Sequence, residues 1–353
     1  MIRHIQKSNI THNEQGLVSF MVVTVIMAIT TLIVMSYARV VRREQVQTAD
    51  RQLNVQALYA AESAVNDAMN ALNTTPSLAT GGPYNNCDDF TTAAGLASNL
   101  GNNVAYSCLL VDTSPTRLDY DGVNTNSSTV IPLRSTTNID TVEISWDSDV
   151  PSPTTNGCAS NLTLPAPWPN DCQIGMIRFE LLPFIATGMT RDSIISDTAV
   201  GFLKPYDTGG ANNRSLSSFQ QSAGSNDKGE IVGVRCNSTS PRRCVFRITG
   251  INTNQAYLRV KSEYRNTPLT IRAFDNASTP LGLRGAQVVF DVTGRAAGVL
   301  KRIKVNKQVP NGNTGIAPEF ALQSKNTLCK QFTYRPGVVA PQNAASECDP
   351  SQP

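Results

Sequence analysis

Eight cysteines carry the most definite chemistry in this chain of 353 residues: Cys87, Cys108, Cys158, Cys172, Cys236, Cys244, Cys329 and Cys348. Their number is even, they fall into four sequence-local couples, and no CxxC occurs. Reduced metal sites favour close cysteine pairs, so this spacing predicts a disulfide framework in an oxidising compartment. Eight cysteines admit roughly a hundred pairings. Neighbour pairing (87–108, 158–172, 236–244, 329–348) is the expectation, each short loop contributing about 2–4 kcal/mol.

Other reactive patterns are sparse. His4 and His12 are the only histidines, and both precede the first apolar stretch. No Walker A sequence or GxGxxG fingerprint occurs, so the chain lacks the usual phosphate and dinucleotide cradles. The expectation is a protein without enzymatic activity and without a cofactor. Asp119-Tyr-Asp121-Gly-Val-Asn124-Thr-Asn126 gathers oxygen ligands around a glycine, a weak calcium candidate through Asp119, Asp121 and Asn124. It lacks the distal Glu of an EF-hand loop, and a solvated Asx-rich turn is the preferred reading.

Charge is unevenly distributed. Residues 74–230 hold 7 Lys/Arg against 16 Asp/Glu, and residues 231–310 hold 14 against 3. Such asymmetry implies a charged surface or two segments that attract each other. Arg242, Arg243, Arg259, Lys261, Lys301, Arg302 and Lys304 are the candidates for contact with a polyanion, since phosphate contacts need only Lys/Arg on a surface. The alternatives are edge-strand protection and pairing with the acidic block.

These groups have to be positioned by two kinds of element. From Leu17 to Ala38 the chain is apolar and uncharged, and about 22 such residues suffice for a bilayer span. Helix-compatible sequence continues to Asn73 without Gly or Pro. There Val46, Ala49, Leu53, Ala57, Ala60, Ala64, Ala68 and Leu72 recur every three or four residues, a narrow apolar stripe on a polar helix. Pro76 closes it, because the residue before a proline is pushed out of the helical region. One helix of roughly 55 residues would be about 85 Å long. Arg3 and Lys7 precede the span while Arg39, Arg42 and Arg43 follow it, which alone would put the C-terminal side in the cytoplasm. The cysteines demand the opposite orientation, and eight of them outweigh three arginines.

Gly16 followed by LVSFMVVTVIM resembles the class III signal of type IV prepilins. In that family a prepilin peptidase cuts after the glycine on the cytoplasmic side, and the apolar helix becomes the filament core. ADRQLNVQALYAAESAVNDAM after the span resembles more narrowly the PilX-like minor pilins. The likeness covers residues 13–72, about a sixth of the chain. It implies processing between Gly16 and Leu17, after which the mature chain would hold no histidine. Major pilins usually carry Glu at the fifth mature position; here that position is Met21. A subunit that supplies no carboxylate to the apolar filament core fits a minor, initiating or tip role better than the repeating shaft.

The remainder reads as β structure. Strands are expected at 103–111, 141–147, 173–185, 230–236, 244–251, 256–264, 269–275, 286–292 and 298–307. Alternation puts Val142, Ile144 and Trp146 on one face, and sets Leu258, Val260 and Ser262 opposite Arg259, Lys261 and Glu263. The expected fold is therefore α+β: a long N-terminal helix, membrane span plus amphipathic spine, then a disulfide-stapled, mostly antiparallel β ectodomain. The expected divisions are a prepilin leader (1–16), the helix (17–75), a β-rich region with loops (76–204), a linker or surface loop (205–229) and a basic β-rich block (230–353) whose Cys329–Cys348 segment resembles the C-terminal disulfide loop of pilins. Triplets permitting glycosylation begin at Asn126, Asn161, Asn213, Asn237 and Asn276 among others; such triplets arise by chance in so Asn- and Ser-rich a chain, so glycosylation is left open.

The resemblance implies a minor pilin or pseudopilin acting in filament initiation, at the tip or at the surface. It would be single-pass in the cytoplasmic membrane with the ectodomain outside, then part of an extracellular pilus. Its partners would be other pilins through the helix, the prepilin peptidase, the assembly platform and the membrane, with DNA or a host-cell surface as ligands. The alternative is a single-pass, membrane-anchored surface protein acting as an adhesin or a DNA-uptake binding module.

Overall fold

The structure is a computed structural model and describes residues 15–148, 175–184, 190–206, 210–220, 230–237, 242–309 and 316–317. Helix α1 (Gln15–Thr74) is followed by two single-turn helices, α2 (Pro76–Gly81) and α3 (Asp89–Ala94). Strands β1 (Asn99–Gly101), β2 (Val104–Asp112), β3 (Leu118–Val123), β4 (Ser128–Ile139), β5 (Thr141–Ser148) and β6 (Met176–Pro183) come next. After α4 (Arg191–Asp197) run β7 (Ala199–Tyr206), β8 (Asn213–Ser215), β9 (Glu230–Arg235), β10 (Arg242–Thr249), β11 (Thr253–Glu263) and β12 (Thr267–Phe274). Short β13 (Pro280–Leu281), the long hairpin β14 (Gln287–Ala296) and β15 (Val299–Gln308), and β16 (Ile316–Ala317) complete the described elements. Pro76 ends α1 as expected and starts α2 at its first turn, where a missing N–H costs nothing.

Two compact units emerge, and they do not follow the divisions expected along the chain. The first joins the helix and residues up to Pro115 with the returning segment Gln287–Val309. Its sheet has the order β1-β2-β14-β15, antiparallel throughout. One face of that sheet covers the last five turns of α1. Ala57, Ala60, Ala61, Ala64, Val65 and Ala68 are all at most 4% exposed, against Tyr106, Leu109, Val111, Val288, Phe290 and Val292 of the sheet. Fully burying a side chain of Val or Phe size stabilises by about 1.5–3 kcal/mol. Alanines let the helix approach closely, and the limit is reached at Gly294. A Cβ there would stand 2.7 Å from the Ala61 nitrogen and closer still to the Ala57 carbonyl. Glycine in mid-strand marks such an approach of one backbone to another. The β1–β2 hairpin turns on Asn102 and Asn103, both at positive φ (52° and 60°), the residue type that best tolerates a two-residue turn of this hand. Cys87 and Cys108 form a disulfide, with Cα atoms 4.3 Å apart.

The second unit, built over Thr116–Ala286 with β16 on β4, is a β-sandwich. One sheet has the order β13-β12-β5-β10-β8, with β3 also on β12; the other is β16-β4-β11-β6-β7-β9. Pairing is antiparallel except for β8–β10 and β7–β9. The facing sides share one core, including Val142, Ile144 and Trp146 from one sheet and Leu258, Val260 and Phe179 from the other, as the alternation predicts. Trp146 donates its indole N–H to the Gly175 carbonyl at 2.8 Å, so its one polar atom is satisfied. Phe219 meets Phe179 edge-on at 5.0 Å. The Cys236–Cys244 disulfide joins the end of β9 to β10 and hence one sheet to the other. Both neighbour pairings that fall among described residues are therefore present; Cys158, Cys172, Cys329 and Cys348 lie outside them.

Two expectations are corrected. Residues 118–123 form β3 rather than an Asx-rich turn, because Leu118, Tyr120 and Val123 are buried in the sandwich. The described part of the expected linker, 210–220, belongs inside the second unit: β8 extends a sheet there, and Leu216 and Phe219 are core residues.

Candidate functional site: the exposed helix and the cationic strands

Helix α1 extends over 60 residues, about 90 Å, yet none of its side chains from Val18 to Gln56 is buried. It is the one helix among the described residues long and apolar enough to cross a membrane. Apolar side chains exposed on every side are costly in water and cost nothing in lipid. The threonine hydroxyls within the stretch are satisfied internally. Thr24 donates to the Met21 carbonyl at 2.8 Å, Thr30 to Ile26 at 2.9 Å and Thr31 to Met27 at 2.7 Å, which lowers the cost of a hydroxyl in hydrocarbon. Gly16 and Leu17 lie in the first turn of α1, with the Leu17 side chain outside the described ones. Met21 is 61% exposed in this apolar run and offers no charge to it.

The seven candidate polyanion residues are not gathered on one sheet. Arg242 and Arg243 are on β10, Arg259 and Lys261 on β11, and Lys301, Arg302 and Lys304 on β15. The first four belong to the second unit and the last three to the first. Most described side chains among them already have partners. Arg243 donates to Ser145 Oγ at 3.3 Å; Arg259 reaches Ser128 Oγ at 2.6 Å and Glu180 at 3.4 Å; Lys261 pairs with Glu263 at 3.4 Å. Arg302 holds Asp291 through two hydrogen bonds of 2.6 Å. That contact and the charge of Lys304 keep the Asp291 carboxyl below the usual range despite partial burial; the same contact with Asp291 raises the Arg302 guanidinium. The side chain of Arg242 lies outside the described ones.

The charge asymmetry of the sequence has a different outlet. Glu143 on β5, central in its sheet, is 6% exposed. It accepts from Arg247 at 2.8 Å and stands 3.8 Å from Arg272. Both guanidinium groups also lie over the Phe274 ring, at 5.4 and 5.0 Å. Glu180 and Arg259 repeat the arrangement across β6 and β11. Acidic residues of the first block and basic residues of the second thus meet as cross-strand neighbours.

The calcium candidate is not assembled as a cation site. Asp119 accepts from Arg117 and from Thr270 Oγ1, each at 2.7 Å. Among the described residues no three of His, Cys, Asp and Glu are grouped to hold a metal ion. Lys204 on β7 is 2% exposed, and burial lowers its ammonium pKa.

Compared with known proteins, the chain matches no protein-family model, no curated protein and no solved structure.

Sequence reasoning passed over Gly294 and Glu143. A glycine inside the strand pattern QVVFDVTGRA is the signal for the first. Glu143 stands in the polar phase of a strand, and nothing local tells that this face, too, is closed by neighbours.

Proposed function

We propose that this protein is a minor pilin or pseudopilin of a type IV pilus-like filament, processed between Gly16 and Leu17 and assembled through α1. The observation that carries the reading is the form of α1 itself. A single helix is apolar and exposed on all sides from Val18 onward, then turns into a one-sided alanine stripe under an antiparallel sheet. A helix so divided serves two hosts in turn, lipid before assembly and neighbouring apolar helices after it. The likeness of Gly16–Met27 to a prepilin signal and of residues 49–69 to PilX-like pilins supports the same reading. Met21 in place of a carboxylate fits an initiating or tip subunit, because this chain would leave a neighbour's terminal ammonium unpaired in the apolar core, a costly arrangement at every step of a repeating shaft. The reading makes the protein a structural and assembly component rather than an enzyme, and leaves attachment or DNA capture to its ectodomain.

Shearing of cells tests it against permanent membrane anchorage. The protein should appear in the sheared filament fraction of cells with an active assembly ATPase and stay in the membrane fraction without it. Retention in the membrane in both strains would favour the anchored surface protein.

A further inference from the structure

One turn of α1 has a charge pattern that the proposed filament role does not account for. Arg39, Arg42 and Arg43 begin directly where the apolar run ends at Ala38. Their spacing of i, i+3 and i+4 puts them on one side of the helix, within reach of one another's ligands. All three are exposed and none has an ion pair among the described residues. Glu44 is the only carboxylate between the start of the span and Asp50. Tyr37, 71% exposed, stands two residues before Arg39 and on the opposite side of the helix, at the level where an aromatic ring with a polar tip belongs in an interface. With the ectodomain outside, these arginines stand on the side that topology statistics leave poor in basic residues, so their presence there needs a cause of its own.

We propose that the Arg39–Arg43 turn, with Tyr37 just before it at the same interface, is a binding site for anionic phospholipid headgroups at the outer surface of the cytoplasmic membrane, fixing the depth of α1 before extraction. The inference rests on α1 spanning the bilayer in the orientation given above. Arginine suits the task because its planar fork pairs with phosphate oxygens bidentately, while its stem lies along the apolar helix and lifts the charge to the headgroup level. The charge complementarity is continuous with the span: apolar side chains end in hydrocarbon, and cations start where phosphates are.

The test uses the full chain reconstituted at high dilution in phosphatidylcholine vesicles containing a minor fraction of phosphatidylglycerol, with spin-labelled versions of each lipid reporting the first shell around the helix. Each basic residue near a charged surface favours anionic lipid by about fivefold (about 1 kcal/mol, at about 1.4 kcal/mol per tenfold). Phosphatidylglycerol should therefore be enriched at least fivefold over phosphatidylcholine. The enrichment should fall to within about twofold of unity in R39Q/R42Q/R43Q, persist in R39K/R42K/R43K, and collapse at 1 M salt, where the screening length is about 3 Å. Gln and Lys keep the helix intact, so loss of the helix does not confuse the comparison. Carbonate-resistant insertion into pure phosphatidylcholine vesicles reads the span separately. Failure to insert would overturn the span and this site with it. Insertion without phosphatidylglycerol preference, or a preference unchanged in the Gln variant, would overturn the headgroup site alone. Arginine-dependent self-association without lipid preference would assign the turn to a second copy of the chain and likewise overturn it.

Discussion

The two halves of α1 share one backbone and differ in everything that surrounds it. From Val18 to Gln56 no side chain is buried, although Val25, Ile26, Ile29, Leu32 and Ile33 are each more than half exposed. From Ala57 to Leu72 the buried apolar positions are mostly alanine and at most 8% exposed, and the sheet β2-β14-β15 lies on them, while Leu58 and Tyr59 stay on the uncovered side. Large residues thus stand where no protein covers the helix, and alanine stands where protein does. A water-soluble spine has the reverse logic, with bulky side chains under the sheet and polar ones outside. The difference teaches that the first half is built for a non-aqueous neighbour and the second for close backbone packing.

Four perturbations would break or sharpen that contrast. The largest effect is expected in the ectodomain: removing the inter-sheet disulfide with Cys236→Ala and Cys244→Ala should cost the second unit about 2–5 kcal/mol in urea unfolding, while membrane insertion of α1 is unchanged. Next, Ile26→Arg puts a charge near the middle of the exposed apolar run and should oppose insertion by about 2.5–3.5 kcal/mol, seen as loss from the carbonate-resistant membrane fraction. Val46→Arg, eight residues beyond Ala38, should leave that fraction unaltered; equal effects at both sites would erase the boundary drawn between the halves. Third, Ala61→Leu or Gly294→Val forces volume into the helix–sheet contact and should destabilise the first unit by about 1–3 kcal/mol. Tyr59→Ala, on the uncovered side of the same turns, should stay within about 0.5 kcal/mol. The smallest effect is electrostatic. Because the folded-state pKa of Asp291 is depressed by Arg302 and Lys304, its contribution is present above the ordinary carboxylate range and is lost as pH falls through the depressed value. Asp291→Asn should remove part of the acid-limb slope in a pH titration of stability, and salt should weaken the difference.

Much of this architecture is legible in the chain because its signals are local. The helix, its stop at Pro76, the pairs Cys87–Cys108 and Cys236–Cys244, and the alternation along β11 all follow from residue type and spacing. Strands β4 and β7 escaped for physical reasons. Pro132 interrupts β4 in sequence but is tolerated at a strand edge that, among the described residues, has no partner beyond β16. Gly201 in β7 makes room for the Phe179 and Phe219 rings, and Lys204 and Pro205 disguise the rest. The division into units escaped because β14 and β15 return to α1 from more than two hundred residues away, and no local pattern encodes that pairing. For the site, residue types pick out cations, but only the fold tells that Arg259 and Lys261 face carboxylates while Arg39, Arg42 and Arg43, which are not among the polyanion candidates, do not.

The central claim is that α1 begins, in the working protein, at Leu17. Mass spectrometry of the N-terminal peptide from protein purified out of its native cells tests it most directly. The account predicts a peptide that starts at Leu17, with an N-methyl group on it, and that is absent when the prepilin peptidase is deleted. A peptide that retains residues 1–16, or one cut on the far side of the apolar run, would contradict it.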